Sequence, residues 1–127
     1  MDQLHIIRNF AIIFAFAILF GTAAVDKFKS LSTPEWFIKQ FANTFVSKMP
    51  GGARVGYWGI AFFEATLTLA FLASGFHFAL LPCALLGATF LFGILLFGLR
   101  ITYDYQGSAN MFVYFTATLV SFYLVTV

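Results

Sequence analysis

Apolar positions run along this chain in four blocks, and the polar positions between them are few enough to name. Residues 9–25 hold no charge, and with Phe28 just beyond them they make up the ~20 residues that cross ~30 Å of hydrocarbon. This predicts a first membrane-spanning helix over about 9–28. Its start also resembles a secretory signal peptide, with Arg8 before the apolar run and the small residues Gly21-Thr22-Ala23-Ala24 near its end. Residues 55–76 form a second block, interrupted by one ionisable side chain, Glu64. Gly75-Phe76-His77 leaves room only for a tight turn between antiparallel helices. The third block, 78–99, is uncharged and ends at Arg100, with Pro82 in its first turns, where a missing amide hydrogen matters least. After a short loop at 101–107 containing Asp104, the fourth block fills 108–127.

The polar interlude at 30–52 has its own pattern. Trp36, Phe37, Phe41, Phe45 and Val46 recur at helical spacing, while Glu35, Lys39, Gln40, Asn43 and Lys48 take the other side. An amphipathic helix at the membrane surface is predicted over about 34–47, with Thr33 as cap, Pro34 in the first helical position and Pro50-Gly51-Gly52 as its stop. The fold class that follows is all-α: an integral-membrane, antiparallel four-helix bundle in a single domain, 1–127, with no stretch left for a soluble domain.

Composition agrees. With 61% hydrophobic and 9% charged residues, including nineteen Phe, the chain lacks the polar shell that a water-soluble core of this size needs. The net charge of +2 and the scattered cations exclude a phosphate-tracking surface, so nucleic acid is not an expected partner. The lipid bilayer is, together with other membrane subunits or a second copy of the chain. Cys83 is the sole cysteine, which rules out a disulfide within the chain, and its apolar setting after Pro82 predicts a buried packing role.

An even number of spans puts both termini on one face. The segments 26–54 and 100–107, on the other face, carry Lys27, Lys29, Lys39, Lys48, Arg54 and Arg100, against only Arg8 on the terminal face. The positive-inside rule therefore places these loops in the cytoplasm of a cell membrane, in a bacterium the inner membrane.

Glu64 is the residue most in need of explanation, because an ionised carboxylate inside a bilayer costs several kcal/mol unless paired or protonated. The loop-side ends of the other helices deliver Lys27, Arg100, Asp104 and Asn110 to the same half of the bilayer. A buried network of these residues with Glu64 is the candidate site, with Tyr57 and Thr68 flanking Glu64 on its own helix. It would either lock the helices together or line a pocket for a headgroup, a quinone or another small molecule. No metal set is visible, since His5 and His77 fall at helix ends on the terminal face without acidic or thiol neighbours at ligand spacing. Ala61/Ala65 and Ala84/Ala88 form small-residue faces suited to helix packing.

Four short motifs together resemble the DoxX-like family of small four-helix membrane proteins: Phe20-Gly21-Thr22-Ala23-Ala24-Val25-Asp26-Lys27-Phe28, Pro34-Glu35-Trp36-Phe37, Glu64, and Asp104 with Ala109-Asn110-Met111-Phe112. In that family the residue three positions before the lysine is commonly Gly; here it is Ala24, which costs some closeness of backbone packing. The resemblance carries the family's helix-two acid and helix-one lysine onto Glu64 and Lys27. It implies an accessory or scaffold subunit of a larger membrane complex, in some relatives a redox-linked one, rather than an enzyme on its own. A quinone- or lipid-binding component and a small-solute carrier or assembly factor are the alternatives. The paired cysteines of redox-active relatives are missing.

Overall fold

A computed structural model describes residues 3–30, 33–44, 48 and 52–126. Five helices follow in order: α1 (Gln3–Ser30), α2 (Glu35–Phe41), α3 (Gly52–Ser74), α4 (Leu81–Ile101) and α5 (Tyr105–Thr126), with a 3₁₀ turn at Phe78–Leu80 leading into α4. The four long helices are each long and apolar enough to cross a membrane, and they pack antiparallel. Large side chains such as Phe14, Phe62, Leu69 and Phe90 point outward from them. Only lipid covers so much apolar surface at no cost, and the chain is a four-span membrane protein.

The helices pack as a series, α1 against α3, α3 against α4 and α4 against α5. At the centre, Phe16 and Phe20 of α1 stack on Phe71 of α3, and Phe20 also stacks on Phe92 of α4 at 5.3 Å between ring centroids. Such offset pairs add about 0.5–1.5 kcal/mol each beyond their contact area. Ala61, Ala84 and Ala88 are all buried, so the small-residue faces seen in the sequence serve contacts within the chain. Among described residues α5 buries only Ser108 and Thr118. Thr118 donates to the Phe115 carbonyl and lies 3.0 Å from the Thr89 hydroxyl, a polar tie to α4.

The element ends differ from the sequence expectation where caps intervene. Predicted to begin at 108, the last helix starts at Tyr105, because Asp104 caps it: the Asp104 carboxylate accepts the Gly107 amide at 2.8 Å and its carbonyl accepts the Ser108 amide. The turn before it is a Schellman motif. The Tyr103 amide donates to the Arg100 carbonyl and the Asp104 amide to the Leu99 carbonyl, with Tyr103 in the left-handed region at φ 60°. Pro34 is the N-cap of α2 rather than its first helical residue, its carbonyl accepting the Phe37 and Ile38 amides. The helix expected over 34–47 is described as helical over Glu35–Phe41, while Phe45, Val46, Pro50 and Gly51 lie outside the described residues, as does Val127. Cys83 is a correction: it is exposed, because Leu81, Ala84, Leu85 and Ala88 take the inward face of α4 and leave position 83 on the lipid side.

Candidate functional site

Helix α3 buries a stripe spaced three and four residues apart, and Glu64 occupies the place in it between Ala61 and Leu67. Its carboxylate is thereby aimed at α1. Lys27 lies in the last turn of α1, a favourable end of the helix dipole for a cation. Its Nζ donates to Glu64 Oε1 at 2.6 Å and ties the two helices together. Glu64 is buried and Lys27 half-buried. With one partner removed, the remaining charge would be stranded in apolar surroundings at a cost of about 3–5 kcal/mol.

The pair faces a cavity of about 780 Å³ at the loop end of the bundle. Its walls come from all five helices: Phe20 and Ala23 of α1, Tyr57 and Ile60 of α3, Phe92 and Leu95 of α4, Met111 and Tyr114 of α5, and the inner side of α2. Helix α2 is fastened over it. Gln40 Nε2 donates to Thr102 Oγ1 at 3.1 Å, and Phe41 is buried where Gly98 leaves room, since a Cβ there would sit 3.4 Å from the ring. Phe37 stacks edge-on against Tyr57. The apolar side of α2 therefore turns partly into the protein, with Trp36 left exposed beside the cavity and Glu35 and Lys39 outward.

Of the residues singled out in the sequence, Lys27 and Glu64 come together and Tyr57 stands beside them, its ring centroid 5.8 Å from Lys27 Nζ. Thr68 is adjacent, but its hydroxyl donates to the Glu64 backbone carbonyl and not to the carboxylate. The other three stand apart from the pair. Arg100 is exposed, its guanidinium 4.7 Å from the Tyr105 ring centroid. Asp104 caps α5, and Asn110 lies exposed on that helix, accepting a bond from Gln106. The single network of five polar residues is thus resolved into an ion pair at the cavity and a separate turn. His5 and His77 are both exposed, and among the described residues no three of His, Cys, Asp and Glu converge on one point.

Gln40, Phe41 and Gly98 also belong to the site, although the sequence pattern does not mark them. The Phe41 ring on a short helix and Gly98, one of three glycines in α4, are complementary in shape. Nothing in linear sequence pairs the two. Compared with known proteins, the chain matches no family model, no curated protein and no solved structure.

Proposed function

We propose that this chain is a DoxX-like membrane protein whose cavity holds an apolar molecule with a hydrogen-bonding head, a quinone or a lipid, in the service of a larger membrane complex. The observation that carries this reading is the placement of one ion pair, Lys27–Glu64, on the wall of an otherwise largely apolar cavity. Its volume lies in the ~300–1,000 Å³ range of small-molecule sites, and a few fixed polar groups in an apolar lining are what such sites use for orientation. A purely structural role explains less. A well-packed apolar pair would join α1 to α3 as well or better than two desolvated charges, so charges kept at a cavity wall favour a ligand.

Helix α2 lies on this reading at the headgroup level, its Trp36 in the interface and its underside closing the cavity. The excess of loop-side cations supports a cytoplasmic placement of that face. The test is extraction of small molecules from chain purified with its native lipids, followed by mass spectrometry. One quinone or lipid per chain is expected, and it should be absent from Gly56→Phe, a substitution that fills the cavity. A stoichiometric protein partner with no retained small molecule in either form would make the chain a scaffold subunit instead.

A further inference from the structure

Resting on the binding reading above, we infer that the cavity selects amphiphiles whose head carries no net negative charge. Three acidic or basic side chains line it, Asp26, Lys27 and Glu64, two carboxyl groups against a single amine. Lys27, the one cation among them, is already held at 2.6 Å by Glu64. The remaining described cations of the loop face, Lys29, Lys39, Lys48, Arg54 and Arg100, are exposed and not part of the wall. An anionic head entering here has two options. It displaces Glu64 from Lys27 and strands a buried carboxylate, or it sits beside a neutralised pair with Asp26 nearby and no cation of its own.

The rings add to this. Phe20, Phe37, Tyr57, Phe92 and Tyr114 line the same space, an apolar lining that desolvates an entering head and so penalises a charged one more than a flat neutral one. An uncharged head meets no such barrier. Glu64 has several lone pairs, so its carboxyl group, though paired with Lys27, still offers an acceptor to a hydroxyl head. The exposed cations outside then concentrate anionic lipid around the protein without admitting it, and selection happens at the wall.

Two probes with the same acyl chain isolate the head: monooleoylglycerol, which is neutral, and oleoyl lysophosphatidylglycerol, which is anionic. Binding of each to the full chain in zwitterionic-lipid nanodiscs is measured, and the part lost in Gly56→Phe is taken as cavity binding. The neutral probe should bind the cavity about tenfold tighter or more, the scale expected when like charges are forced together. Asp26→Asn, at an exposed position that leaves the fold untouched, and Glu64→Gln should each narrow that ratio. Equal or tighter cavity binding of the anionic probe to the parent chain overturns the inference and leaves the binding function standing. If neither probe shows any binding sensitive to Gly56→Phe, the cavity is not a site for acyl lipids and the inference falls, while the quinone reading is decided by the extraction experiment.

Discussion

Lys27, near the end of α1, and Glu64, at the middle of α3, meet at 2.6 Å although they stand 37 positions apart in sequence. Because the two charges are worth most as a pair, single and double substitutions should behave very differently. Glu64→Ala or Lys27→Ala is expected to lower stability in detergent by about 3–5 kcal/mol, whereas Lys27→Met with Glu64→Leu should recover most of that loss. Unfolding titrations of the four forms check this, and additive losses would mean that the pair is not coupled. Glu64→Gln retains an acceptor for Lys27 and should fall between.

Gly56 lines the cavity, and a Cβ there meets nothing within 4 Å. Gly56→Phe should therefore fold with unchanged or slightly raised thermal stability, helped by about 0.5–1 kcal/mol from removing a mid-helix glycine. Its retained ligand should disappear. A destabilised variant would show that the space is not open as described.

The α4–α5 turn gives two opposite effects at adjacent residues. Asp104→Ala removes the cap from α5 and should cost about 1 kcal/mol, with Asp104→Asn nearly neutral. Tyr103→Gly should stabilise by about 1 kcal/mol, since an L-residue is strained at φ 60° and the Tyr103 side chain is exposed. Thermal denaturation of both in one detergent reads the signs directly.

Topology is checked by cysteine labelling on a Cys83→Ser background, which is needed because Cys83 is exposed. Cysteines replacing Lys39 and Gln106 should label from one side of the membrane, and those replacing Gln3 and His77 from the other. Labelling of Lys39 and Gln3 from the same side would refute a four-span chain.

The spans were legible in the sequence because bilayer crossing leaves so few alternatives: a long uncharged run must be helical to satisfy its own backbone. Glu64 was legible for the same reason, as a charge that apolar surroundings tolerate only with a partner. Which partner was not. Lys27, Arg100 and Asn110 all end up at the same depth by counting residues, and the choice among them depends on rotation about each helix axis. The weak amphipathicity of helices that face lipid leaves that rotation unmarked. Asp104 looked like a member of the buried network because its role as a cap is written only in local backbone geometry. The exposure of Cys83 is hidden in the sequence for a related reason, since in a lipid-facing helix apolar neighbours do not mean burial.

Antiparallel packing aligns Gly21 with Thr68 and Phe28 with Phe62, so α3 begins about 10 Å beyond the end of α1 on the loop side. That overhang carries Tyr57, the residue against which α2 docks through Phe37. On the proposed placement of α2 at the headgroups, α2 would set the waterline for the whole bundle. Glu64, midway along its helix, would then ride only about two turns beneath that line and not at the middle of the hydrocarbon. A molecule held at Lys27–Glu64 as proposed would keep its head close to the surface it came from while its tail lay among the lipid chains.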